Sequence, residues 1–222
     1  MQKIKAVIFD LDGTLANTLP LCIIAFRKSI EPLISREVSD EEIIATFGPS
    51  EEGTIDALAP DFYDKGVADY ITHYTALHDM CPDVFEGMPE ILETLKCKGI
   101  RTAMVTGKGL TSAEISLKRF GITQYFELLE TGIRTGPSKP QGIKAILNKW
   151  DDLAKTEVIY IGDAPSDVTA CREAGIPIVA AAWAETAEPE KLIALQPDEL
   201  FYNISDFEKW LYENLWNADD RI

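Results

Sequence analysis

Asp10 and Asp12 stand one residue apart in the stretch Phe9-Asp-Leu-Asp-Gly-Thr-Leu15, directly after the short apolar run Lys5-Ala-Val-Ile-Phe9. A second polar group, Thr106-Gly-Lys-Gly109, follows the apolar run Thr102–Val105, and a third, Gly162-Asp-Ala-Pro-Ser-Asp167, follows Val158–Ile161. Lys139 stands between them, before a helical pattern. If the apolar runs are parallel strands of one open sheet, the carboxylates of Asp10, Asp12, Asp163 and Asp167 collect outside its carboxyl edge, where ligands of such sheets sit. Three or four carboxylates gathered there repel one another unless a cation joins them. Hard oxygen donors select Mg²⁺ among cellular cations. A threonine hydroxyl and a lysine ammonium beside that ion suit a phosphoryl group. The chemistry implied is a nucleophilic or ligating carboxylate, a divalent ion and a phosphate clamp.

The elements that must position these residues follow from pattern. Strands are predicted at 5–9, 102–105, 126–129, 158–161 and 176–182, the third being the weakest. Helices are predicted at 88–99, 111–120, 141–150, 167–174 and 205–216, with Pro89 near one start and Gly99, Gly121 and Gly175 as stops. Alternation of short apolar strands with helices predicts an α/β fold with a doubly wound parallel sheet.

Residues 16–84 break that rhythm. Leu19, Cys22, Ile23, Phe26 and Ile30 form an amphipathic helical stripe, and Val67, Tyr70, Ile71, Tyr74 and Leu77 form another. Ser39-Asp-Glu-Glu42 has the form of a capping box. About four helices are therefore expected between the first strand and the rest of the sheet. This block holds 13 acidic and 4 basic residues, a net −9 that reads most simply as a solvated face. The turn Gly48-Pro-Ser-Glu-Glu52 opens a helix, and could also face the site.

The 222 residues carry 21 Lys and Arg against 37 Asp and Glu, a net charge of −16, with 46% hydrophobic residues. That balance argues against nucleic acid and anionic membranes as partners, which call for basic patches. No apolar run approaches the length of a membrane-spanning helix. The first fifteen residues lack the form of a secretory signal, so a cytoplasmic location is expected. Cys22, Cys81, Cys97 and Cys171 are scattered without a CxxC pair and read as reduced thiols. With only His73 and His78 in the chain, a zinc site of His and Cys ligands is not expected.

Taken together, these residues carry a resemblance. Asp10-Leu-Asp-Gly-Thr14 resembles the first motif of the haloacid dehalogenase superfamily. Thr106 resembles its second, Lys139-Pro140 its third, and Gly162-Asp163-Ala-Pro-Ser-Asp167 its fourth, all in the family's order. A helical insertion directly after the first motif is similar to that of the phosphoglycolate phosphatase and β-phosphoglucomutase branch. The resemblance implies a Rossmann-like core, residues 1–15 and 85–222, with a helical cap at 16–84. It implies a Mg²⁺-dependent phosphatase acting on a small phosphorylated metabolite through an aspartyl-phosphate. Asp10 would be the nucleophile and Asp12 the general acid and base. Asp10, Asp163 and the backbone carbonyl of Asp12 would hold Mg²⁺, and Asp167 would support the metal or Lys139. Thr106, the Gly107 amide and Lys139 would bind the transferring phosphoryl group.

Departures from the branch's pattern are Gly107, where an Asn is common, and Asn17, where an acid is common. Ser50, Glu51 and Lys108 are candidate substrate contacts; Lys108 reads more readily as a surface lysine, and His78 as structural or exposed. A phosphomutase or a pyrophosphatase remains an alternative within the superfamily. Outside it, a receiver-like domain is shorter and lacks the helical block, and an inactive phosphoester-binding protein would be expected to have lost Asp10, Asp12 or Lys139. A dehalogenase is disfavoured by Asp12. Substrate and oligomeric state are left open.

Overall fold

The computed structural model describes residues 3–216. Six strands form one parallel sheet: β1 (Ala6–Phe9), β2 (Arg101–Val105), β3 (Leu128–Glu130), β4 (Val158–Gly162), β5 (Ile178–Ala181) and β6 (Glu199–Phe201). Their order is β3-β2-β1-β4-β5-β6. The central strands are apolar at every position because helices cover both faces. Successive side chains go to opposite faces. Ala6, Ile8, Ala103, Val105, Val158 and Tyr160 pack under α7 (Lys139–Lys149) and α8 (Pro165–Ala174). Val7, Phe9, Met104, Ile159 and Ile161 pack under α5 (Met88–Cys97) and α10 (Ile204–Asn214). The doubly wound sheet expected from the apolar runs is the observed one.

The chain runs outward from β1 to β2 and β3, then crosses back to place β4 on the other side of β1. This reversal opens a crevice beyond the carboxyl ends of β1 and β4. The register Phe9↔Ile161 puts Asp10 next to the residues that follow β4, and the Asp10 amide donates to the Ile161 carbonyl at 2.9 Å.

Between β1 and α5 lie α1 (Leu19–Ile34), α2 (Asp40–Ile44), α3 (Glu51–Leu58) and α4 (Tyr63–Leu77). They share a core of their own built on Phe26, Ile30, Ile55, Tyr70 and Tyr74. The capping box at Ser39 and Glu42 is present in both directions. The chain leaves the sheet after Leu15 and returns at Phe85, whose amide donates to the Leu15 carbonyl at 2.8 Å. The sequence pattern missed α9 (Pro189–Ala194) and β6, six and three residues long. No helix among the described residues is long and apolar enough to cross a membrane.

His78 is buried where the helical layer meets α6 (Leu110–Arg119). Its Nε2 lies 3.1 Å from the Ser116 hydroxyl, and its ring meets Tyr74 and Phe120 edge-on. Burial pushes its pKa below the ordinary 6.5, and the charges of Arg119 and Lys108 push the same way. The folded state therefore binds fewer protons here than the unfolded chain. The stabilisation is complete above pH 6.5 and is lost as pH falls below that value. On acidification from about pH 7.5 to about 5.5, the melting temperature should fall further in the wild type than in His78→Gln. Equal falls in the two proteins would refute the assignment.

Candidate functional site

Four segments meet at the crevice. Asp10 directly follows β1 and is buried; its Oδ1 accepts the Leu11 amide at 2.7 Å. Lys139, at the first turn of α7, reaches across to donate to Asp10 Oδ2 at 2.5 Å and to Asp167 Oδ1 at 2.6 Å. Asp167 lies in the first turn of α8 and caps it, its Oδ2 accepting the Ala164 amide at 2.9 Å. The Tyr160 hydroxyl lies 3.1 Å from Asp167 Oδ1. Asp163 follows β4, and its Oδ1 accepts the Thr14 hydroxyl at 3.0 Å. Thr106 follows β2, is buried, and its hydroxyl accepts the Lys108 amide at 3.2 Å. Gly107 follows on the cavity wall.

The turn carrying Asp12 depends on Gly13. Its φ of +72° lies in the left-handed region, and a Cβ there would come within 2.1 Å of Asp163 Oδ2. Only glycine lets the backbone after β1 lie against the carboxylate after β4.

Carboxylate oxygens of Asp10, Asp163 and Asp167 lie within 4.8 Å of one another. Burial raises the pKa of Asp10 to about 7; Lys139 opposes this, while the charges of Asp167 and Asp12 add to it. Asp163 is pushed well above the carboxylate range by burial, then by Asp10 and Asp167. Burial disfavours the Lys139 ammonium, but Asp10 and Asp167 outweigh it and keep the lysine charged. One lysine thus faces three converging carboxylates. A divalent cation fits this oxygen-rich corner by both donor type and charge. The oxygens of Asp167 are already engaged by Lys139 and the Ala164 amide, which suits it to support rather than ligation. The Asp12 carboxylate is not part of this cluster.

Asp12 instead accepts from the Thr18 hydroxyl and lies 3.0 Å from Lys108 Nζ. Lys108 is not a surface residue. It is buried, donates to Cys22 Sγ at 2.9 Å and lies 4.6 Å from the centre of the Tyr74 ring. Burial disfavours its charge, but Asp12 and then Cys22 outweigh that cost and raise its pKa. The sequence reads Lys108 as a surface lysine because its partners come from the first motif turn and from two helices of the inserted block. The motif spacing contains no signal for that contact.

The two other candidate substrate contacts are placed differently. Ser50 is buried against the core: its amide donates to the Ile133 carbonyl at 3.0 Å and its hydroxyl to Glu52. It does not line the cavity, and its amide is not free for a ligand. Glu51 does line the cavity, but its Oε2 accepts the Gly109 amide at 2.6 Å and its Oε1 the Ser112 hydroxyl. That carboxylate fastens α3 to the first turn of α6. Burial raises its pKa against these donors and Lys108.

A cavity of about 530 Å³ lies over Asp10, between the strand ends and α1–α4, lined also by Asp12, Gly107, Lys108, Lys139 and Asp163. Its volume suits a small-molecule ligand. Lys139→Met should leave Asp10 and Asp167 without their cation, costing about 3–5 kcal/mol of stability in the metal-free protein. Urea unfolding would measure it; an unchanged midpoint would show that the ion pairs are not what keeps these carboxylates together.

Residues 7–181 match the family model described as haloacid dehalogenase-like hydrolase. Pyrophosphatase PpaX of Bacillus pumilus is 30% identical over 207 residues, covering 92% of this chain and 95% of that protein. The crystal structure of a predicted phosphoglycolate phosphatase from Haemophilus somnus superposes with a TM-score of 0.75 at 21% identity, covering 95% and 99% of the two chains. That of CbbY from Rhodobacter sphaeroides, in complex with phosphate, gives 0.73 at 20% identity, covering 89% and 93%. The match of the family model over residues 7–181, and of the Bacillus relative along nearly the whole chain, shows that this protein belongs to the haloacid dehalogenase-like hydrolase family.

Proposed function

We propose that the protein is a Mg²⁺-dependent phosphatase that cleaves a small phosphoester through an aspartyl-phosphate on Asp10. One observation carries this reading. Asp10 is a buried carboxylate at the floor of a ligand-sized cavity, with Lys139 on one oxygen and Asp163 and Asp167 beside it. A carboxylate held in line with phosphorus attacks without losing a proton. An Asp10 oxygen would form the bond to phosphorus as the ester oxygen departs with a proton from Asp12. Asp12 would then take a proton from water, whose oxygen attacks phosphorus, releasing inorganic phosphate and restoring Asp10. Thr18 and Lys108 hold the Asp12 carboxylate at the cavity wall. Thr106, the Gly107 amide and Lys139 would bind the equatorial phosphoryl oxygens. Asp10, Asp163 and the Asp12 carbonyl would hold Mg²⁺. Bound there, the ion neutralises charge on the phosphoryl oxygens and on the converging carboxylates.

Residues 16–84 would act as a lid over a core of 1–15 and 85–222, hinged where Leu15 and Phe85 meet. Residues 1–2 and 217–222 of that core lie outside the described residues. A second reading, hydrolysis of pyrophosphate, agrees with the name of the Bacillus relative. Phosphate release from a panel of phosphorylated metabolites, with and without Mg²⁺, tests the reading. Release from none of them would overturn it. Asp12→Asn should slow turnover by roughly 10²–10⁴-fold, the usual worth of a positioned acid and base. Full turnover in that variant would assign the proton transfers elsewhere.

A further inference from the structure

What the phosphoryl group is attached to is addressed by the opposite wall of the cavity. The floor is ionic, whereas the wall supplied by α1–α4 presents Leu19, Phe26, Ile44, Phe47, Pro49 and Tyr70. Phe26 and Tyr70 are 3% and 1% exposed, with ring centres 4.4 Å apart. In front of them Phe47 is 40% exposed and its ring lies 6.1 Å from Phe26. Ile44, one turn earlier, is 44% exposed. The fold packs the back of this aromatic wall and leaves its cavity side uncovered.

Two charged groups reach this half of the cavity, and both are matched within the protein. Lys108 pairs with Asp12 and Cys22, and Glu51 with the Gly109 amide and Ser112. Lys108 and Lys139 are the cations among the described residues lining the cavity. A carboxylate or a second phosphate on the substrate would have to draw Lys108 away from Asp12, or be desolvated against carbon without a partner. An apolar group entering there gains by leaving water and costs no ion pair.

Resting on the phosphatase reading, we infer that the substrate is a phosphomonoester whose leaving alcohol carries an apolar group of aromatic size, seated on Phe47, Phe26 and Ile44, and no second anion. The reaction is the hydrolysis already described, with the alcohol as the leaving group protonated by Asp12.

The test compares kcat/KM for benzyl phosphate, methyl phosphate, phosphoglycolate and pyrophosphate at saturating Mg²⁺. Benzyl and methyl phosphate release alcohols of similar acidity, so their ratio reports the binding of the ring rather than leaving-group chemistry. Benzyl phosphate should exceed methyl phosphate by about 10–100-fold, the scale on which apolar pockets discriminate, and should exceed both competitors that carry a second anionic group. Phe47→Ser and Ile44→Ser should each bring the benzyl-to-methyl ratio down toward one. Both side chains are exposed enough for the variants to fold, which a thermal melt checks, and the wild-type ranking stands independently of them. A higher kcat/KM for pyrophosphate or phosphoglycolate, or a ratio that neither substitution moves, overturns this inference while leaving Asp10 chemistry intact. No Mg²⁺-dependent release from any of the four overturns the phosphatase reading together with it.

Discussion

Asp10→Asn should abolish turnover, by about 10⁴-fold or more, while leaving the fold in place. The loss expected is that of a covalent nucleophile, whose removal is among the largest single effects in enzymes that use one. The amide is close in shape to the carboxylate and its one oxygen can still accept the Leu11 amide, which now engages Oδ1, while Lys139 gives up Oδ2 and keeps Asp167. It removes one negative charge from a buried group whose burial already favours the neutral form. Stability should therefore be unchanged or increased, and a melting curve run beside the phosphate-release assay separates the two effects. Residual activity within tenfold of wild type would mean that water attacks the substrate directly.

Removal of the divalent ion should be equally severe. Three carboxylates and one lysine converge below the cavity, and the charge of Asp10 and Asp167 raises the pKa of Asp163 beyond the effect of burial. A dianionic phosphoryl group brought into that field without a cation would be repelled. In excess chelator, phosphate release should fall to background and return on adding Mg²⁺. The melting temperature should also rise on Mg²⁺ addition, since an ion bound only by the folded state stabilises it by mass action. Undiminished turnover in chelator would remove the ion from the account.

How far these residues could be read from the sequence varies with how far apart in the chain their partners lie. The strands were legible because β1, β4 and β5 are buried on both faces and so read as unbroken apolar runs, and β2 does so over Ala103–Val105. Once they are parallel and β1 sits between β2 and β4, Asp10 and Asp163 must share one edge, and Lys139 and Asp167 are the first-turn residues of the flanking α7 and α8. The edge strand β6, Glu199-Leu-Phe201, carries neither an apolar run nor a β-branched residue, and α9 is too short to show a period. The state of Lys108 was illegible because its burial is produced by Cys22 and Tyr74, residues 86 and 34 positions earlier, closing over it. The Glu51 contact with Gly109 and Ser112 is non-local in the same way, and a helix-start acid reads as solvated until the facing helix is placed.

The central claim is that the phosphoryl group passes through the carboxylate of Asp10, and one measurement addresses it most directly. Asp12→Asn, which retains the nucleophile but loses the base that hydrolyses its adduct, is mixed with substrate and Mg²⁺, quenched in acid, digested and mapped by mass spectrometry. The expected result is a single phosphorylated peptide, with the phosphate on Asp10 and absent when Asp10 is also replaced by Asn. Phosphate on any other residue would contradict it.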